Sequence, residues 1–195
     1  DTDGSLLDTL HWRVLPHGPK DAPSPVLRQQ RTALQMLVRT HQVGAVALGA
    51  SSLDMRRVRE EVEAALGGLP LHYLSEDTAR IYALSPRAAE DMPDHPTPAR
   101  RALGLARRLQ DPLCALAELF GGGGEVLGLR LHPLQRMVGE GALRTRLEWE
   151  MVDMVCAVGV DINAALRLPH RTPLLQFVGG LGPRLAKQMQ DRLGT

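Results

Sequence analysis

Apolar positions fall into two regimes along the chain. In the first, short apolar runs alternate with stretches of helical period. Leu27, Leu34, Leu37 and Val38 share one face of a helix that Ser24 and Pro25 open. The run 43–48 (VGAVAL) is continuously apolar, as a buried parallel strand would be. Val58, Val62 and Leu66 predict a helix over 54–66, Gly67-Gly68 stops it, and 69–74 predicts another strand. Residues 5–15 have strand character after an Asp3-Gly4 turn, with a loop over 16–24. This rhythm indicates an α/β domain.

Short helices are expected over 79–84 and 86–90, followed by a connection punctuated by Pro93, Pro96 and Pro98. Thr97 is expected to cap the next helix, with Pro98 at its first position. Plotted as a helix, Ala102, Leu105, Ala106 and Leu109 fall on one side, and Arg100, Arg101, Arg107 and Arg108 on the other. Such a stripe is more often a solvated face than a phosphate contact. The tetraglycine Gly121 to Gly124 is the best candidate boundary, as linker or hairpin tip, and divides the chain into 1–124 and 125–195. It lacks the Lys and Ser/Thr of a phosphate loop.

The second regime is helical. After a possible strand at 126–131, helices are expected over 133–138 and 142–158. One pattern is then written twice. Met154, Gly159, Val160, Asp161, Ala165 and Leu168 match Leu175, Gly180, Leu181, Gly182, Ala186 and Met189 at a constant offset of 21. Tandem helix-hairpin-helix units explain the repeat. Gly180 is assigned the positive φ of a tight turn, Gly182 a close backbone approach, and Ala186 the crossing of two helices. The helix from Pro183 would present free N–H groups to a phosphate, with Arg184 and Lys187 just behind. Gly180, Gly182, Arg184 and Lys187 are therefore the candidate nucleic-acid-binding residues. In the first copy Asp161 replaces Gly182, so that unit is expected to pack and not to bind.

Composition narrows the field little. The chain has 195 residues, 44% of them hydrophobic and only 3% aromatic, so Leu, Val, Ala and Met must fill its cores. A net charge of +1 requires any basic surface to be local. No run reaches the roughly 20 apolar residues of a membrane span. Cys114 and Cys156 in apolar helical contexts suit a reducing compartment. The start at Asp1 without an initiator Met suggests a piece of a longer protein. The seven histidines show no metal-ligand spacing, His132 is expected to satisfy a loop carbonyl, and Phe177 to be core.

Four words carry a family likeness: 106–113 (ARRLQDPL), 131–135 (LHPLQ), 158–163 (VGVDIN) and 174–184 (LLQFVGGLGPR). In this order they resemble the eukaryotic transcription elongation factor and histone chaperone of the suppressor-of-Ty six family, and more distantly bacterial Tex. The likeness is close from about Asp77 onward and looser before. It implies an RNase H-like domain of the YqgF type, truncated at its N-terminus here, then an all-α tandem helix-hairpin-helix domain. It further implies a nuclear, monomeric, non-catalytic scaffold without cofactor, whose partners are RNA polymerase II, histones and nucleic acid. The family usually places a basic residue where this chain has Leu185 and a cysteine where it has Gly179.

One alternative is pure architecture, the hairpins only bracing neighbouring domains; the other is a metal-dependent, structure-selective nuclease or resolvase, since two-metal cleavage needs converging carboxylates. Asp1 or Asp3 and Glu76 or Asp77 stand near suitable places, but the late helix over 97–110 carries arginines and no acid. Inactivity is the expectation from the residues, and the resemblance implies the same.

Overall fold

The computed structural model describes residues 1–11, 25–50 and 55–193. The chain divides into two compact units, Asp1–Glu76 and Asp77–Thr195. In the first, helix α1 (Pro25–Thr40) and strand β1 (Val46–Gly49) lead through helix α2 (Met55–Leu66) to strand β2 (Leu71–Leu74). The strands pair in parallel, Val46 opposite Leu71 and Gly49 opposite Leu74. This is the β-α-β unit that the apolar runs predict, with shorter strands. Gly67 and Gly68, at φ +25° and +95°, end α2. Leu48 on β1 and Val62 and Ala65 on α2 are buried. Gln35 on α1 fastens the two helices by donating to the Ala65 carbonyl at 2.7 Å.

The strand expected over 5–15 is not found in residues 5–11, and 12–15 lie outside the described residues. The Asp3-Gly4 turn does form: Gly4 sits at φ +77°, and the Asp1 carboxylate accepts from the amides of Asp3 and Ser5. The loop 16–24, with the Ser24 helix start, also lies outside the described residues.

The second unit is helical: α3 (Asp77–Leu84), α4 (Pro86–Asp91), α5 (Thr97–Gln110), α6 (Pro112–Ala117), α7 (Glu140–Val158), α8 (Ile162–Arg167) and α9 (Gly182–Leu193). Tight 3-10 turns occupy Glu125–Gly128, Pro133–Met137 and Thr172–Phe177. Asp111 and Ser85 cap α6 and α4, accepting from the amides of Cys114 and Ala88. One cluster joins Tyr82, Leu119, Phe120, Val126, Val155 and Phe177. Phe120 meets Phe177 edge to face at 4.9 Å between centroids, a pair worth about 0.5–1.5 kcal/mol beyond its burial.

Several sequence expectations need correction. Thr97 is the first helical residue of α5, and the cap position belongs to Pro96, which has no side-chain hydrogen bond to offer. The expected strand at 126–131 is a 3-10 turn followed by extended chain, because Val126 and Leu129 satisfy their apolar character by entering the core. The glycines 121–124 form a turn: Val126 N–H closes on Leu119 O at 2.9 Å, and both flanks belong to the same cluster. His132 accepts through Nδ1 from the Leu134 amide at 3.1 Å, so it satisfies a backbone donor and not a carbonyl.

Helix α5 departs most. Its buried residues are Leu103, Gly104, Leu105 and Arg107, whereas Ala102 and Ala106 are exposed. The arginines do not form a common solvated stripe. Arg100 donates to the carbonyls of Met92 and Pro93, Arg108 to the Thr78 hydroxyl, and Arg107 lies in the interior.

Gly104 is where α5 crosses α3. A Cβ there would sit 2.9 Å from Tyr82 Cδ1 and 3.3 Å from Ala79 Cα. Gly141, in the first turn of α7, has nothing within 4 Å of its would-be Cβ. Gly104→Ala should therefore destabilise by about 1–3 kcal/mol despite its better helix propensity. Gly141→Ala should stabilise by up to about 1 kcal/mol. Chemical denaturation of both variants checks the pair; a stabilised Gly104→Ala would refute the close crossing.

Candidate nucleic-acid interface

The two hairpins of the sequence repeat are present and unequal. In the first, α7 ends at Gly159, whose φ is +86° and whose amide donates to the Val155 carbonyl at 2.8 Å. Asp161 then caps α8, its carboxylate accepting from the Ala164 amide at 3.0 Å. In the second, the 3-10 turn over Thr172–Phe177 replaces an α-helix, residues 178–181 make the bend, and α9 follows. Gly180 has φ +88°, matching Gly159, a backbone that residues with a side chain rarely adopt.

The role predicted for Gly182 changes. Nothing lies within 4 Å of its would-be Cβ, so no close backbone approach requires it. What requires glycine is its φ of +61° at the start of α9. In the first copy the equivalent Asp161 sits at φ −73° and caps instead. Ala186 performs as expected: with Ala165, its partner in the repeat, it packs on fully buried Leu175. Met154 does not, being 37% exposed while Met151 and Val155 fill the core.

Arg184 and Lys187 are exposed and stand three residues apart on α9, hence on one side of the helix. Among the described residues neither side chain is held in an ion pair or hydrogen bond. Leu185, between them, is also exposed, at 42%. Gly180, Gly182, Arg184 and Lys187 thus lie together in one hairpin. A positive-φ bend followed by two exposed cations, which among the described residues have no ion pair or hydrogen bond, suits a phosphodiester backbone and offers nothing that reads bases.

A charged cluster missed in the sequence positions this hairpin. Arg107 Nη1 donates to Asp91 Oδ2 at 3.0 Å, Glu118 Oε1 at 3.0 Å and the Tyr82 hydroxyl at 3.1 Å. Tyr82 in turn donates to Asp91 at 2.8 Å. Arg87 lies 3.6 Å from Glu118 and donates to the Pro169 carbonyl, while Cys114 Sγ donates to the His170 carbonyl at 3.1 Å. The segment entering the second hairpin is thereby tied to α4 and α6. The sequence signal was available: Glu118 stands alone in the apolar run 115–120 (ALAELF), and Arg107 is one turn after Leu103.

Burial pushes the Glu118 carboxyl up to about 7, outweighing the opposing pull of Arg107 and Arg87. Burial, aided by Arg107 and Arg171, holds His170 down at about 4. The Cys114 thiol is pushed up to about 12 by burial, so it is an inert core group. Among the described residues no three His, Cys, Asp or Glu side chains come together as a metal site. Asp1 serves its own turn, Asp77 pairs with Arg80 at 3.6 Å, and Glu76 packs against Gly49. Among the described residues, no helix is long and apolar enough to cross a membrane.

Comparison with known proteins places these features in context. Residues 1–110 match the Tex protein YqgF-like domain, and residues 124–194 the helix-hairpin-helix motif. The chain is 34% identical over 201 residues to the suppressor of Ty 6 homolog of Caenorhabditis elegans, covering 97% of this chain and 13% of that protein. It is 31% identical over 203 residues to the Caenorhabditis briggsae homolog, with the same coverage. Against the transcription elongation factor SPT6 homolog of Arabidopsis thaliana, identity is 31% over 210 residues, covering 99% of this chain and 13% of the relative. The chain thus spans about an eighth of the length of these relatives.

Glu118 and His170 have opposite consequences for stability against pH. His170, depressed from 6.5 to about 4, contributes stability that is present above pH 6.5 and lost as pH falls toward 4. Glu118, raised from 4.5 to about 7, contributes stability present below pH 4.5 and lost as pH rises toward 7. The two slopes oppose each other between these limits. Glu118→Gln should leave the His170 slope uncompensated, so that melting temperature falls more steeply than in the native protein from pH 6.5 to 4.5. Thermal melts across that range check it; parallel profiles would refute the assignment.

Proposed function

We propose that this chain, which belongs to the suppressor of Ty 6 family, serves transcription elongation as a non-catalytic scaffold that holds nucleic-acid backbone through its second hairpin. The wider role we propose is that of a nuclear elongation factor and histone chaperone, with RNA polymerase II, histones and nucleic acid as partners. The names of the relatives support elongation. The clamp is supported by the exposed, unpaired Arg184 and Lys187 behind the Gly180–Gly182 bend.

The YqgF-like portion is proposed to be RNase H-like, which the parallel β1-α2-β2 unit accommodates. The proposed division into 1–124 and 125–195 is supported by family matches that end at residue 110 and begin at residue 124. A non-catalytic role is favoured by the arginines of α5, which engage carbonyls, a hydroxyl and carboxylates where a nuclease would need an acid.

The interface carries a salt signature. For every phosphate that the protein ceases to neutralise, the plot of log affinity against log salt should flatten by about 0.7–0.9. Arg184→Glu with Lys187→Glu should therefore reduce the slope by about 1.4 for single-stranded and about 1.8 for double-stranded DNA. Leu185→Lys, adding a cation between them, should steepen it by up to about 0.9. Fluorescence anisotropy over a salt series decides. No binding by the native chain at low salt, or an unchanged slope in the double variant, would eliminate the clamp; Mg²⁺-dependent cleavage would eliminate the non-catalytic role.

A further inference from the structure

The segment from Leu127 to Leu143 combines a hydrogen-bonded turn with an outward apolar surface. Gln135 organises it. Its Nε2 donates to the carbonyls of Leu127 at 3.2 Å and Leu129 at 2.9 Å, and its Oε1 accepts from the Leu131 amide at 3.1 Å. The His132 ring accepts from Leu134, and the Val138 amide closes on Gln135 O at 3.1 Å. A side-chain amide with three backbone partners holds this turn without any apolar collapse.

The apolar side chains carried on that frame point to solvent. Leu131 is 58% exposed, Leu134 60%, Met137 81% and Val138 48%. Beside them runs an open cavity of about 770 Å³ with Leu129 and Leu143 in its wall. Single exposed hydrophobics are ordinary, whereas several on one hydrogen-bonded turn, two of them (Leu131 and Val138) lining the groove, mark an interaction surface. Methionine at the most exposed position suits a surface that adapts to its partner.

The charges around the groove decide what that partner is. Arg130 and Arg136 line it, and among the described residues neither is engaged in an ion pair or hydrogen bond. Among the described residues Glu140 is the one carboxylate in the lining, so the rim is net positive. We propose that this surface docks an amphipathic segment of a partner protein that presents aliphatic side chains flanked by carboxylates. Leucine-type side chains enter between Leu131, Leu134 and Met137, while carboxylates meet Arg130 and Arg136. A nucleic-acid backbone would leave the aliphatic surface uncovered. This site is separate from the hairpin of Arg184 and Lys187 and does not depend on it.

Two fluorescein-labelled amphipathic peptides of about 16 residues, some four helical turns, serve as probes. Both carry leucines along one face; one has glutamates and the other lysines on the opposite face. The Leu/Glu peptide should bind the intact chain at least about tenfold more tightly than the Leu/Lys peptide, a difference of about 1.4 kcal/mol. Met137→Glu, and separately Arg130→Glu with Arg136→Glu, should each weaken it about tenfold. All three positions are exposed, and melting curves verify that folding is intact. Arg184→Glu with Lys187→Glu should leave peptide binding unchanged, which separates this site from the clamp. Equal binding of both peptides, binding of neither, or indifference to Met137→Glu overturns the proposal. So does a dimer in sedimentation velocity that Met137→Glu dissolves, since the occupant would then be a second copy of this chain.

Discussion

A guanidinium inside a helical core is a demand that the surrounding chain must meet. Arg107 is 8% exposed, and an uncompensated charge at such depth costs several kcal/mol. Asp91 from α4, Glu118 after α6 and Tyr82 from α3 must therefore arrive together. Removing one partner of such a set typically costs about 3–5 kcal/mol, because the remainder is left buried and unpaired. The cluster consequently sets the register of α5 more stringently than its apolar residues do. Through Arg87 it extends to the Pro169 carbonyl, at the entrance to the second hairpin. A core charge and a surface bend are one connected arrangement.

The tandem hairpins show how little separates a packing motif from a candidate binding motif. Gly159 and Gly180 adopt nearly the same positive φ, and Ala165 and Ala186 meet the same leucine. The divergence lies at Asp161 and Gly182. The aspartate consumes a helix-terminal amide with its own carboxylate and places negative charge there. The glycine has no side chain and does neither. Downstream, Arg184 and Lys187 reinforce that choice.

Legibility in the sequence followed the range of the interaction. The hairpin repeat was legible because turn glycines and crossing alanines are local requirements, repeated at one offset. The β-α-β unit was legible because a buried parallel strand is a continuous apolar run. Helix α5 was not, since its apparent apolar face included Ala102 and Ala106, which packing leaves exposed, while Arg107 enters the core to meet polar partners from three other segments. The strand expected at 126–131 failed for a related reason: with no strand paired to it among the described residues, Val126 and Leu129 reach the core from a 3-10 turn and the residue after it as readily as from a strand. Of the four candidate residues, the structure shows only that they share one hairpin, and it replaces the reason for Gly182 by its backbone conformation.

Gln135 leads to a different kind of statement, about time and not shape. The conformation of residues 130–138 hangs on one amide side chain and a few backbone bonds, with no buried residue among them. Opening it exposes little new apolar surface, so it is a low-energy local excursion that leaves the Phe120–Phe177 core closed. Amides in this stretch would trade their hydrogens with solvent far sooner than those of α7. The segment thus forms its own cooperative unit, one whose lifetime can be altered without touching the stability of the helices around it.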